Sequence, residues 1–105
     1  MEKLFTIIIT THNRYDYLGR ILKYYEPYSS LANIVVADSS RETKRKKELL
    51  DQLSKENVTW LKVEPEVFYF KKVCKALECC SSEYTTLCAD DDFIIPSGIK
   101  ASIDF

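Results

Sequence analysis

Four short apolar runs recur along this chain of 105 residues, separated by longer and more polar stretches. Each run is nearly continuous and rich in β-branched residues, a pattern typical of strands that are buried on both faces of a parallel sheet. The predicted strands cover residues 4–10, 33–38, 58–63 and 84–89.

The first two stretches between strands predict helices. In the first, apolar residues recur at helical spacing up to Pro27, at positions 17, 18, 21, 22 and 25. The second opens on a capping-box pattern, Ser39 with Glu42, and continues as a very polar helix to residue 55. Its basic run, residues 44–47, is most simply a solvated helix face, with a phosphate or partner site as the alternative.

Two further helices are predicted in the second half of the chain. The third covers residues 66–80, and its apolar side is formed by Val67, Phe70, Val73, Cys74 and Leu77. The last follows Pro96, with Ser97 as its N-cap.

Strands and helices therefore alternate, which predicts a three-layer, Rossmann-like α/β/α fold with a parallel sheet. Right-handed crossovers leave few topologies, and the simplest is a four-stranded sheet of order 3-2-1-4. Its switch point lies between strands 1 and 4, and ligands of such sheets bind beyond the carboxyl ends of the strands at the switch.

Three polar clusters follow three of the predicted strands. Thr-Thr-His-Asn-Arg (10–14) ends strand 1, Asp-Ser-Ser (38–40) ends strand 2, and three aspartates (90–92) end strand 4. Because the carboxyl ends of parallel strands meet at one edge, we expect the three clusters to converge there on a ligand.

The three adjacent aspartates predict a metal site. Like charges this close would resist ionisation, and a divalent cation removes the conflict. Ligands that are all oxygen suit Mg²⁺ or Mn²⁺, which often bridge to substrate phosphates. The alternative is a solvated acidic turn that caps the next helix.

A nucleotide at this edge would have to be held by side chains. The chain has only two glycines, Gly19 and Gly98, so the glycine-rich phosphate loops are excluded. Asp38 could accept hydrogen bonds from a ribose or base, or serve as a local turn or cap. Lys72 and its neighbour Lys71 could face a diphosphate or lie exposed on the surface.

Composition narrows the classes of function. The net charge of −1 favours neither nucleic acid nor an anionic membrane as partner. No apolar run approaches the ~20 residues that span a bilayer, and the N-terminus lacks a signal-peptide pattern, so we expect a cytoplasmic protein. The four cysteines lack zinc-site spacing and are expected to be reduced, buried apolar residues, with a metal or redox site as the alternative.

The segments TIIITTHNRYDYLGRILKYY, NIVVADSS and YTTLCADDDFIIP together resemble the N-terminal half of the family 2 inverting glycosyltransferases, which have the GT-A fold. The resemblance covers nearly the whole chain and includes an Asp-x-Asp type (DXD) motif. It implies a metal ligand in Asp91, with Asp92 as second choice, and Mn²⁺ or Mg²⁺ as cofactor. The nucleotide-binding residues that it implies are Thr10, Thr11, His12, Asn13, Arg14, Asp38, Lys72 and Asp90.

The same resemblance implies that residues 1–105 are the nucleotide-sugar-binding half of a GT-A domain, ending just past the metal motif. The donor would be a nucleotide-diphosphate sugar, with a UDP-sugar as first choice, and the acceptor is not defined. In this family the other half supplies the acceptor site and the general base, so no catalytic residue is predicted here. We expect the half-domain to be inactive alone and to self-associate.

A different class of function is also open. A non-catalytic flavodoxin-like or receiver-like domain likewise has acidic strand ends around a nucleotide or metal. Strand 1 here ends in Thr-His-Asn-Arg. It therefore lacks both the acidic pair of a receiver and the phosphate loop of a flavodoxin.

Overall fold

A computed structural model describes residues 5–41, Glu48 and residues 57–104. The predicted second helix, its capping partner Glu42 and its basic run at 44–47 lie outside the described residues, apart from Glu48. The elements are β1 (Phe5–Thr11), α1 (Tyr15–Tyr25), a 3-10 turn (Glu26–Tyr28), β2 (Asn33–Asp38), β3 (Val58–Lys62), α2 (Tyr69–Glu78), β4 (Tyr84–Ala89) and α3 (Pro96–Asp104).

The four strands form one parallel sheet in the order β3-β2-β1-β4. This confirms the predicted α/β class, strand order and switch point. In the register, Thr11 lies opposite Asp38, and Thr10 lies opposite Ala89, the residue before the three aspartates. The three polar clusters therefore begin at nearly the same level of the sheet.

Helices cover both faces of the sheet. On one face, Ile7, Ile9 and Val36 pack with the apolar stripe of α1 and with Ile99 of α3. On the other, Ile8 and the adjacent residues of β2 pack against Ala76 of α2. β1 is buried on both sides, which is why its sequence is apolar without alternation.

The predicted third helix corresponds to α2, and its predicted apolar side is wrong. α2 begins at Tyr69 rather than residue 66, because Phe68 has an extended backbone and lies outside the helix. The buried residues of α2 are Lys72 and Ala76, whereas Phe70 is 81% exposed. The side chain with the most apolar surface thus faces outward, and a lysine faces the sheet.

Two smaller expectations also fail. α3 begins at Pro96, which is favourable in the first turn of a helix, so Ser97 lies inside the helix and is not its cap. The cysteines are free, as expected, but only Cys88 is buried, Cys80 is half-buried, and Cys74 and Cys79 are exposed.

β4 is an edge strand of the described sheet and pairs only with β1 there. Its Leu87 lies opposite Ile8 in the register and is 46% exposed. Unpaired edges with apolar side chains promote pairing between chains. We therefore expect self-association that rises with concentration in sedimentation velocity. Leu87→Lys should reduce it, and a monomer at high concentration would contradict the expectation.

Among residues 5–41, Glu48 and 57–104, no helix is long and apolar enough to cross a bilayer.

Candidate functional site

Hydrogen bonds join the ends of β1, β2 and β4 into one network. The Thr11 hydroxyl donates to Oδ2 of Asp90 over 2.8 Å, which links β1 to the acidic cluster. Nζ of Lys72 donates to the carbonyl oxygen of Thr11 and to Oγ of Ser39, each over 2.8 Å. The structure thus brings the three predicted polar clusters together at one edge of the sheet.

The loop between β1 and α1 is fixed by Asn13. This residue has a φ of 56°, in the left-handed region that asparagine tolerates better than most residues. Its N–H donates to Oγ of Ser40 over 2.7 Å, and its Oδ1 accepts from the N–H of Arg41 over 2.8 Å. Exposed His12 lies beside it, with Nδ1 3.1 Å from Oγ of Ser39. The loop is therefore tied to the end of β2.

The three aspartates are not equivalent. Asp90 is buried, whereas Asp91 and Asp92 are exposed. Arg14 lies between the first two: its Nη1 is 3.3 Å from Oδ1 of Asp90, and its Nη2 is 3.1 Å from Oδ2 of Asp91. The hydrogen bond to Asp91 and the charges of both aspartates raise the pKa of Arg14, outweighing the effect of burial. An arginine thus relieves part of the repulsion that the sequence predicts.

The loop after the aspartates is anchored to the C-terminal end of α1. The Tyr25 hydroxyl accepts from the N–H of Ile94 over 2.7 Å. Tyr24 contacts Phe93 edge-to-face, with ring centroids 4.8 Å apart. The helical spacing in the sequence marks Tyr25 only as an apolar residue of the helix and gives Tyr24 no role. No sequence signal marks their contacts with this loop, because the contacts cross about seventy positions of the chain.

The carboxylates of Asp91 and Asp92 fit Mg²⁺ or Mn²⁺ as part of a site that water and substrate phosphates would complete. Within the described part of the chain, no three His, Cys, Asp or Glu side chains are grouped to hold a metal by themselves. Mg²⁺ is commonly held by one or two carboxylates together with water and substrate phosphates. Asp91 and Asp92 are adjacent and exposed, which suits that mode of binding. Their identity as ligands stays a prediction.

Asp38 is fully buried and saturated with hydrogen bonds. Its Oδ2 accepts from the Tyr15 hydroxyl over 2.6 Å and from Nε1 of Trp60 over 3.1 Å. Its Oδ1 accepts from the N–H of Ser40 over 2.9 Å. Burial alone would raise the pKa of Asp38, but these bonds outweigh it and hold the pKa below its usual value. Here the carboxylate joins β2 to α1 and β3, and the predicted contact with a base stays a prediction.

Lys72 and Lys71 have different positions. Lys71 is exposed, whereas Lys72 is only 5% exposed and reaches the carboxyl edge of the sheet. Burial lowers the pKa of Lys72, although the charges of Asp38 and Asp90 oppose that shift. The predicted site thus contains a fixed lysine, and the surface-lysine alternative fails for Lys72.

A small cleft lies beside the aspartates. Its volume is about 40 Å³, and it is lined by Tyr17, Arg20, Asp90, Asp91 and Phe93. The Arg14 guanidinium lies 4.4 Å from the centre of the Tyr17 ring, within the range of a cation–π interaction. The acidic residues are therefore accessible from the side of α1.

Comparison with known proteins finds similarity at the level of the fold. No protein-family model and no curated protein matches the sequence. Among solved structures, the fold is similar to that of "S. aureus TarS 1-349", with a TM-score of 0.78 and 19% identity. The match covers 98% of this chain and 32% of that chain, so the chain spans about a third of TarS 1-349. TarS is a family 2 glycosyltransferase, and the fold described above matches a GT-A-like Rossmann domain.

Proposed function

We propose that this chain is the donor-binding part of a metal-dependent glycosyltransferase that uses a nucleotide-diphosphate sugar, with a UDP-sugar as first choice. The observation that carries the proposal is the network joining the ends of β1, β2 and β4 at the switch point of the sheet. Ligands of open α/β sheets bind at that position. The GT-A-like fold supports the choice of ligand class.

The arrangement suggests how a donor would lie. The base would lie over the end of β2, and the diphosphate would lie near the aspartates, with Arg14 and Lys72 as the nearest cations. A bound Mn²⁺ or Mg²⁺ would neutralise charge that develops on the departing diphosphate. The sugar and the acceptor are not defined by these residues.

Transfer by residues 1–105 alone is expected to be absent or very slow. None of the predicted site residues is assigned as the general base that deprotonates an acceptor hydroxyl. The proposal for these residues therefore concerns donor binding. Sugar transfer to an acceptor is a further proposal that depends on it. The cytoplasmic location stays an expectation of the same kind.

The strand order argues against the flavodoxin-like or receiver-like alternative. Those folds have the order 2-1-3-4-5, in which strand 3 lies next to strand 1. Here β4 lies next to β1, and β3 lies beyond β2. The observed topology therefore favours the glycosyltransferase interpretation.

Thermal stabilisation by nucleotides tests the proposal. UDP with Mn²⁺ should raise the melting temperature, because a ligand at about 100 times its Kd adds roughly 2.7 kcal/mol to the stability of the folded state. UDP alone should stabilise less, and flavin mononucleotide with Mg²⁺ should have no effect. Other nucleoside diphosphates, each with Mn²⁺, would identify a different base. Stabilisation by flavin mononucleotide but by no nucleoside diphosphate would contradict the proposal. The absence of stabilisation by any of these ligands would also contradict it.

A further inference from the structure

Among the described residues, Arg14 is the ion-pair partner of Asp90 and Asp91. It stands just before α1, and its guanidinium reaches across to the loop after β4. In the described part of the chain, the ion pairs of Asp90 and Asp91 are both made by this one side chain. A single monovalent cation thus pairs with Asp91, the first choice of metal ligand, and with the neighbouring Asp90.

If the guanidinium leaves, Asp90 loses one partner but keeps another. The side chain of Arg14 is 41% exposed, so one side already faces solvent. The other oxygen of Asp90 is held by Thr11, which fixes that carboxylate independently of the arginine. The guanidinium also lies over the face of the Tyr17 ring, 4.4 Å from its centre, in the same conformation in which it pairs with the aspartates. Lys72 differs, because it is buried and held by two hydrogen bonds.

Arg14 and a metal ion compete for the same oxygens. A divalent ion bound through Oδ2 of Asp91 would lie within a few ångströms of Nη2, which is 3.1 Å from that oxygen. Two cations so close repel each other, and the double charge of a divalent ion doubles that repulsion. Either the arginine or the metal can hold this oxygen, but the two do not share it at low energy.

Resting on the proposed function, we infer that Arg14 substitutes for the metal while the site is empty, and that a divalent cation binds with the diphosphate by displacing it. The released guanidinium then pairs with the diphosphate, which an arginine binds well through its planar fork. Arg14 thus opposes binding of the bare metal and favours binding of the metal–diphosphate complex. The site thereby selects the complex over the free ion.

The test uses the chain with Arg14→Ala and two separate titrations. Mn²⁺ alone should bind roughly tenfold more tightly to the variant, because the competing cation is gone. UDP at saturating Mn²⁺ should bind roughly tenfold or more weakly, because a charge-assisted contact to the diphosphate is lost. Arg14→Gln removes the charge but keeps much of the bulk, and it replaces Arg14→Ala if circular dichroism shows that the alanine variant is unfolded.

Arg20→Ala is the matched control. Arg20 lines the cleft beside Asp90 and Asp91, but no ion pair from it to the aspartates is seen among the described residues. The Arg20→Ala variant tests whether any loss of positive charge near the aspartates has the same effect. Arg20→Ala should change the Mn²⁺ affinity by much less than Arg14→Ala does.

The outcomes separate this inference from the proposed function. Unchanged or weaker Mn²⁺ binding by Arg14→Ala overturns the inference, and the donor-binding proposal stands if the unmodified chain still binds UDP with Mn²⁺. Equal tightening in Arg20→Ala also overturns it. Failure of the unmodified chain and of every variant to bind both Mn²⁺ and UDP overturns the proposed function, and the inference with it.

Discussion

Replacing Asp38 by alanine is expected to lower the free energy of unfolding by roughly 3–5 kcal/mol. The substitution removes the shared acceptor of Tyr15, Trp60 and Ser40 from a fully buried position. That loss is a large part of the ~5–15 kcal/mol that stabilises a typical domain. Urea unfolding monitored by Trp60 fluorescence and by circular dichroism measures it.

Asp38→Asn is the matched control, since it keeps the shape and one acceptor oxygen. It should cost less than the alanine substitution. A surface carboxylate substitution, Asp104→Asn, should change the stability little. If Asp38→Ala unfolds at the same urea concentration as the unmodified chain but loses nucleotide affinity, the carboxylate serves ligand binding rather than the fold.

The pH dependence of stability follows from the same carboxylate. Its pKa is lower in the folded chain than in the unfolded chain, so its ionised form favours folding. The contribution is fully present above the unfolded pKa of about 3.9 and is lost as the pH falls through the folded value. The stability gap between the unmodified chain and Asp38→Asn should therefore narrow below about pH 4. A gap that stays constant to pH 2.5 would contradict this.

Replacing Asp91 by asparagine should remove the Mn²⁺-dependent part of UDP binding, with a loss of roughly a hundredfold in affinity. The free energy of unfolding should change by less than about 1 kcal/mol. The pair between Asp91 and Arg14 is solvent-exposed, and such pairs contribute little to stability. Calorimetric titration of UDP with and without Mn²⁺ measures the first effect, and thermal unfolding measures the second.

Asp92→Asn runs alongside as the test of the second candidate ligand. If only one of the two variants loses the metal effect, that residue is the ligand. If both keep the full Mn²⁺-dependent affinity, the metal interpretation fails, and the aspartates form a solvated acidic turn instead.

The strands were predictable from the sequence because burial on both faces leaves a direct signal. β2 and β4 were predicted with the bounds that the structure has, and β1 is shifted by only one residue. Parallel order then followed from the alternation with helices and from the handedness of crossovers. The convergence of the polar clusters followed in turn, since it depends only on which strand ends share an edge.

The inner side of α2 was not predictable in the same way. Apolar periodicity assigns Phe70 to the interior and Lys72 to solvent, and the structure shows the reverse. A lysine can be buried when its ammonium group finds acceptors, and here the acceptors belong to β1 and to the end of β2. Such partners lie more than thirty positions away, so periodicity within the helix carries no information about them.

Asp38 and Arg14 show the corresponding limit for the site. The sequence marks both as site residues. It does not indicate that Tyr15 and Trp60 donate hydrogen bonds to Asp38, or that Arg14 bridges two aspartates. These pairings depend on the rotamers and spacing of side chains from separate elements. Strand-end position predicts a shared neighbourhood, and only the folded geometry decides whether a polar side chain there faces the protein or a ligand.

The left-handed conformation of Asn13 has a thermodynamic consequence. Its N–H and its side-chain oxygen both form hydrogen bonds with the segment after β2. The conformation of the loop is therefore set by the fold and not by a ligand. Ordering a free loop costs about 1–2 kcal/mol of backbone entropy per residue, which a ligand would otherwise have to supply. That entropy loss is already incurred when the chain folds, so a ligand that bound at this edge would leave the backbone entropy of the loop nearly unchanged.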